Sequence, residues 1–551
     1  MDLIIANAKI VTIDSKNRTT EALAIKDGVF RIVGTNDEAL ALRGPTTQVL
    51  DAKGRVVLPG FIEPHCHLFD RVIAHLAVDT RTPPNHSIED IVARIRTKAK
   101  ETPKGEWIIG GRYEALLLKE KRFINRYDLD KATREHPVFV RALSGMIAVA
   151  NSKALEVAGV TRETPDPLGG KIGRDPQTGE PDGQLYQYAG YQVVMKHLKS
   201  LPWEMIRPGI VKAQNEFLRQ GITSFHEPKL GHFGLLTDVD TLKSYQRAAR
   251  EEILKMRVYI MIFYNLLKEL KFALESGLGD HRIKIGGASI LEDGHFQGHT
   301  AAVHEPYLGT ANDRGFLVYT QQQLNEIVLD LHSQGYQVLI HGNGDRAIET
   351  TLESFEKALQ AFPRKNARHR IENCHMSRPD HLQRMKHLDI TPSYSISDIY
   401  IRGDRYAEEV MGREQAQRIC PVASALKAGL KPVLHSETAL ISPLLSIQTA
   451  VDRRTSGGQV LGKEEQISVM EAIRMVTVNA ARLSFEEHLK GTIEVGKLGD
   501  VVVLDRDNIE TPLYQAPKVG KLNQETLGDV PVAATVVGGK VVFSTSELSL
   551  G

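Results

Sequence analysis

Five side chains in this chain have the types and placement to hold a divalent metal ion and move a proton: His65, His67, His341, His375 and Glu437. His65 and His67 flank Cys66 at the end of Pro59-Gly60-Phe61-Ile62-Glu63-Pro64, where a Pro-Gly turn leads into an extended run. Side chains two apart on a strand share a face, so both imidazoles can converge on one ion. A helix would need a spacing of three or four. Further on, His341 ends the apolar run 337–341, His375 ends 370–375 and Glu437 ends 432–437. A single histidine at a strand end is usually a hydrogen-bonded polar side chain. Four imidazoles and a carboxylate from four strands instead match the donor preferences of Zn²⁺ or a similar borderline divalent ion.

The elements that must position them follow from periodicity. Strand-like apolar runs at 138–141, 222–226, 283–290, 337–341, 370–375, 390–394 and 432–437 join the run ending at His67 to make eight. Helical stretches at 88–100, 208–220, 237–254, 320–334 and 347–361 separate them. The expected fold class is therefore α/β, a (β/α)₈ TIM-like barrel, whose active sites gather at the C-terminal strand ends. Short β-like runs fill both ends of the chain, with turn signals at Asp27-Gly28 and Gly538-Gly539. They predict a small β-sandwich built from both termini, with the chain divided as 1–58, 59–490 and 491–551. Residues 161–183, rich in Gly, Pro and Asp, read as a loop over one barrel end.

Bulk properties bound the function. With 69 Lys+Arg against 68 Asp+Glu in 551 residues, nothing in the charge balance points to nucleic acid or an anionic membrane. No apolar run approaches a membrane span. Residues 1–7 lack the pattern of a secretory signal and read as a first strand. Three cysteines (Cys66, Cys374, Cys420) argue against a disulfide scaffold and for a reducing, cytoplasmic setting. The expected partner is a small-molecule substrate; homo-oligomerisation is left open.

The motifs, taken in order, resemble the amidohydrolase superfamily, in the amidohydrolase-3 branch that includes N-substituted formamide deformylases. Val57-Leu58-Pro59-Gly60-Phe61-Ile62 with His65-Cys66-His67 is similar to the family's first-strand motif. Asn151-Ser152-Lys153-Ala154-Leu155, Asp293-Gly294 with Thr300-Ala301 and Glu305-Pro306-Tyr307, His341-Gly342-Asn343-Gly344-Asp345-Arg346-Ala347, Arg370-Ile371-Glu372-Asn373-Cys374-His375 and 491–500 extend the likeness over nearly the whole chain. The resemblance implies metal-assisted hydrolysis of a non-peptide carbon–nitrogen bond, in an amide, formamide, carbamate or cyclic amide. It implies one or two divalent ions, Zn²⁺ first, held by His65, His67, His341 and His375. Glu437 would be the base and a further ligand, with His375 also catalytic.

Three departures from the family pattern stand out. The eighth-strand run reads His435-Ser436-Glu437-Thr438-Ala439 where Gly-Ser-Asp is usual, moving the carboxylate outward by about 1.5 Å. His435 shares a face with Glu437 and is expected to enter the pocket or to orient that carboxylate. The lysine that bridges two metals in relatives is replaced by Ser289, and Lys284 lies too near the strand start. Glu227, closing the third predicted strand, and Glu292 are the candidates to bind or bridge in its place, each weighed against a simple ion pair. Met146 stands where relatives often carry His, so its effect falls on substrate recognition. His295, His299 and Tyr186 are further candidates for substrate contact. Cys66 and Cys374 read as packing residues. Two rival functions remain beside hydrolysis: a single-metal deaminase, and a barrel that has lost catalysis and serves in binding or regulation.

Overall fold

The computed structural model describes residues 1–143, 145–167, 169–198, 201–230, 238–437, 440–509, 531–546 and 548. Its centre is a parallel sheet of eight strands: Phe61–Glu63, Ile222–Leu230, Arg257–Phe263, Ile283–Leu291, Gln337–Gly342, Arg370–Asn373, Thr391–Tyr394 and Val433–Leu434. These strands are buried on both faces, which is why they read as near-continuous apolar runs. The backbone ladder runs unbroken from the first strand to the eighth. At the seam between those two, side chains take over. The Glu63 carboxylate accepts from Ser436 N at 3.1 Å and from Ser436 Oγ at 2.7 Å.

One predicted barrel strand is misassigned. Residues 138–141 belong to Val138–Ala142 of a separate six-stranded sheet, paired parallel to Ile108–Tyr113 and antiparallel to Ile147–Ala150. The missing barrel strand is Arg257–Phe263, and Ile222–Leu230, with Glu227 on it, becomes the second. Both runs are fully buried, and periodicity does not say which sheet receives an apolar strand. The extra sheet also takes in Lys171–Arg174 and Pro181–Tyr186, so much of the stretch read as a loop is a hairpin. The whole sheet lies between the first and second barrel strands in sequence.

The two chain ends meet in a sandwich. A four-stranded sheet uses Leu3–Ala6, Ala22–Lys26, Val29–Gly34 and Gln48–Asp51. A six-stranded sheet combines Lys9–Val11, Thr19–Thr20 and Val56–Pro59 with Val501–Leu504, Val532–Val537 and Lys540–Ser544. Leu3, Ile5, Leu23 and Ile25 share one core with Val57, Val501, Val503 and Val536. Both turn signals hold: Asp27 and Gly28 have φ of 54° and 76°, Gly538 and Gly539 of 55° and 76°, the left-handed pairs a tight hairpin needs. The Pro-Gly step is not a turn. Pro59 ends a sandwich strand and Gly60 crosses to the barrel, where a Cβ would lie 2.3 Å from Thr223 Oγ1.

The surrounding helices carry their own stop and start signals. Gln321–Ser333 opens with a capping box between Thr320 and Gln323, and Ile88–Glu101 with one between Ser87 and Asp90. Among the described residues no helix is long and apolar enough to cross a membrane.

Candidate active site

At the C-terminal ends of the barrel strands, one cavity of about 50 Å³ is lined by His65, His67, His341, Glu437, His295 and Met146, together with Lys229 and Ser289. Four of the five predicted metal-site side chains therefore converge. The extra sheet supplies Arg141, Gly145 and Met146 to one wall, and Arg141 Nη1 donates to Asp70 Oδ1 at 2.9 Å.

Each strand-one imidazole has a carboxylate behind it. His65 Nδ1 lies 2.6 Å from Glu372 Oε2, and His67 Nδ1 lies 2.6 Å from Glu227 Oε1. Tyr245 OH donates to the other Glu227 oxygen at 2.8 Å. With Nδ1 so occupied, Nε2 is the nitrogen left to face the cavity, the arrangement common to metal-binding histidines. Burial, with the charges of His67 and Arg370 nearby, pushes His65 well below its ordinary value and keeps its lone pair available. Burial also works against charge on His67, but the Glu227 carboxylate more than compensates and raises it. His341 is fixed differently: its Nδ1 lies 3.1 Å from the Asp293 carbonyl, and Asp293 is itself held by the N–H groups of Ala302, Asn343 and Gly344.

Glu227 thus stands behind His67, and its expected place as a bridging ligand is corrected to that of an orienting carboxylate. Glu292 is fully buried but outside the cavity lining, in the surroundings of Tyr319, Thr350 and Arg346. Burial and the neighbouring Asp293 carboxylate raise it to about 9. His435 does not orient Glu437. It is fully buried, stacks on His65 with centroids 4.7 Å apart, and its Nε2 lies 3.9 Å from Glu372 Oε2.

Among the described residues, His65, Glu372 and His435 form one trio whose ligand atoms lie within 4.8 Å of one another. Hydrogen bonding argues against an ion there. Glu372 already meets His65, Ser393 Oγ at 3.0 Å and the Arg370 guanidinium, whose positive charge opposes a second cation. Glu372 and Arg370 therefore serve as the support beneath His65.

His375 is wholly buried and stands apart from the cavity lining. Asn373 and Cys374 before it adopt φ of 65° and 46°, so the chain leaves the strand before His375 is reached. Its Nε2 lies 3.2 Å from Asp398 Oδ2, and its ring meets Phe296 edge-on. Burial opposes the Asp398 charge, but Arg402 and His375 outweigh it and hold that carboxyl well below the usual range. Glu437, at φ 56°, has its Oε1 3.8 Å from His295 Nε2. Burial and the Asp398 charge raise its proton affinity. Thr438 and Ala439 of the same run lie outside the described residues.

The remaining recognition candidates divide. Met146 and His295 line the cavity. His299 stacks on Tyr307 at 4.3 Å on the outer loop, and Tyr186 donates to Gln184 within the extra sheet, so both are placed outside it. Their local surroundings, an aromatic neighbour and a strand neighbour, account for them. Sequence reasoning missed Glu372, Asp398 and Lys229. A Glu two residues after Arg370 and a Lys two residues after Glu227 on strands already assigned were the available signals. Asp398 lies on the helix Ser397–Arg405, which a π-helical turn follows and which no strand-end pattern marks.

A family model described as "Amidohydrolase family" matches residues 48–543. The N-substituted formamide deformylase of Arthrobacter pascens is 27% identical over 521 residues, spanning 92% of this chain and 94% of its own. The putative amidohydrolase YtcJ of Bacillus subtilis is 26% identical over 549 residues, 98% of each chain. Among solved structures, an uncharacterised metal-dependent hydrolase from Pyrococcus horikoshii superposes with a TM-score of 0.72 at 25% identity, covering 92% of this chain and 97% of that one.

Proposed function

The chain belongs to the amidohydrolase family, and on that premise we propose that it is a metal-dependent hydrolase cleaving a non-peptide carbon–nitrogen bond in a small molecule. The observation that carries the proposal is the convergence of His65, His67, His341 and Glu437 on one cavity, with carboxylates or a carbonyl behind the imidazoles. The formamide deformylase among its relatives supports an amide or formamide as substrate, with a carbamate or cyclic amide as neighbouring chemistries.

The donor set fits a divalent ion, Zn²⁺ first: His65 and His67 each have a carboxylate on Nδ1, the arrangement common to metal-binding histidines, while His341 Nε2 meets the Asn373 amide at 3.0 Å, a contact an ion would displace. His65, His67 and His341 would hold it, with Glu437 beside them; His375, expected as a fourth ligand, stands apart from the cavity lining. The chemistry such an ion supplies when bound is activation of water and polarisation of a carbonyl. Glu437 takes a proton from the attacking water and passes it to the leaving nitrogen, a shuttle that its raised proton affinity favours. His295 Nε2 lies 3.8 Å from the Glu437 carboxylate, and Met146 supplies an apolar side chain to the lining.

A single-ion deaminase is the second reading. The observation favouring it is Ser289, which lines the cavity where the family resemblance would place a bridging lysine. The low cysteine content supports a cytoplasmic location. Elemental analysis of the purified protein together with a panel of N-formyl, N-acyl and amino-heterocyclic compounds tests both. Formate or another carboxylic acid released by metal-loaded protein is the expected result. Ammonia release from an amino-heterocycle selects the deaminase, and a protein without stoichiometric metal rejects both enzymes.

A further inference from the structure

We propose that Asn373, the last residue of the sixth barrel strand, is a positioning residue that caps the lone pair of His341 and thereby sets how tightly the site takes its ion. The inference rests on the reading of His341 as a metal-binding imidazole. It adds the tautomer of that ring and names the group an ion must displace.

The groups around His341 fix its tautomer. Nδ1 lies 3.1 Å from the Asp293 carbonyl and 3.5 Å from Asp293 Oδ1, both acceptors, so Nδ1 carries the proton and Nε2 the lone pair. Two amides meet that lone pair, Asn373 Nδ2 at 3.0 Å and Asn343 Nδ2 at 3.3 Å. They are not equivalent. Asn343 Nδ2 also donates to the Gly294 carbonyl at 2.6 Å, and Asn343 N donates to Asp293 Oδ1 at 2.9 Å, so that residue is pinned to the loop after the fourth strand. The Asn373 amide is fully buried and directed at His341, while its Oδ1 has no hydrogen-bond partner among the described residues.

The backbone brings the two side chains together. In the parallel ladder between the fifth and sixth strands Asn373 pairs with Gly342, the residue after His341. Its φ of 65° is a left-handed value that Asn adopts more readily than most residues. An ion at Nε2 needs the same lone pair as the Asn373 N–H, so it binds only once that amide has turned away. In the metal-free site the amide holds the ring in place, and the free energy of that hydrogen bond is subtracted from the affinity for the ion.

The test is Zn²⁺ affinity by chelator competition, with ¹⁵N spectra of the metal-free, histidine-labelled protein as a readout independent of turnover. Asn373→Gly removes the amide and keeps a backbone that glycine adopts without strain. The expected result is a Zn²⁺ affinity higher by about 2- to 10-fold, whereas damage to packing alone would lower it. Asn373→Asp keeps the shape and the left-handed turn but has no N–H to donate, and is expected to bind more tightly as well. In the wild-type spectrum His341, identified by the signals missing from His341→Gln, should carry its proton on Nδ1 and accept a hydrogen bond at Nε2. Unchanged or weaker Zn²⁺ binding in Asn373→Gly, or in Asn373→Asp should the first fail to fold, overturns the proposal, as does a wild-type His341 proton on Nε2. Absence of Zn²⁺ binding in the wild type and both variants counts against the metal reading itself and takes the proposal with it.

Discussion

His67 Nδ1 and Glu227 Oε1 sit 2.6 Å apart although 160 residues separate them in sequence, and Tyr245 OH secures the far oxygen at 2.8 Å. The contact fixes the ring so that its other nitrogen faces the cavity. Glu227→Gln keeps the shape and removes the charge. Its expected effect is a metal affinity lower by about 10- to 100-fold, read by chelator competition, with Tyr245→Phe giving a smaller change in the same direction.

Glu437 is assigned the proton shuttle, so Glu437→Gln should lower kcat by about 10²- to 10⁴-fold. Elemental analysis should find the ion retained. Full turnover in this variant would remove Glu437 from the chemistry.

The barrel and the sandwich are joined by a buried ion pair. Arg257 Nε and Nη2 donate to the two Asp500 oxygens at 2.7 and 2.9 Å, and Gly538 N donates to Asp500 Oδ1 at 2.7 Å. Asp500→Asn leaves Arg257 buried and unbalanced, and should destabilise the chain by about 3–5 kcal/mol in denaturant titration. Arg257→Met/Asp500→Leu removes both charges and should cost markedly less.

A chain of neutral histidines predicts acid sensitivity away from the active site. Val338 N donates to His369 Nδ1 at 2.9 Å, His369 Nε2 meets His332 Nδ1 at 2.8 Å, and His332 Nε2 donates to the Phe362 carbonyl at 2.7 Å. One proton per ring satisfies every link, and a second on either ring breaks one. Burial depresses both folded values below the ordinary 6.5, helped at His369 by His332. The unfolded chain therefore binds more protons below about pH 6.5, so this contribution is complete above that pH and is lost as pH falls toward the folded values. His369→Gln should cost about 1–3 kcal/mol at pH 7.5. The gap from wild type should narrow at pH 5, measured by denaturant titration at both values; a constant gap would contradict the neutral chain.

Much of the architecture was legible in local pattern. Alternation of apolar runs with helical stretches located seven of the eight barrel strands, and the left-handed turn pairs at Asp27-Gly28 and Gly538-Gly539 located two sandwich hairpins. The error at 138–141 has a physical cause. A strand buried on both faces is uniformly apolar, so Val138–Ala142 and Arg257–Phe263 look alike until their neighbours are known. Alternation also failed at His375, because the left-handed residues Asn373 and Cys374 end the strand early.

The amino-acid sequence by itself determined the family and the donor types: a His-x-His pair, a further histidine at a strand end and a carboxylate after the last strand. Tertiary structure alone decided which carboxylate stands behind which imidazole. Glu372 reaches His65 across 307 residues and Glu227 reaches His67 across 160, while Asp398 reaches His375 from the next strand's helix. Those pairings depend on strand order around the barrel and on side-chain packing between elements far apart in sequence, and neither leaves a local periodic trace.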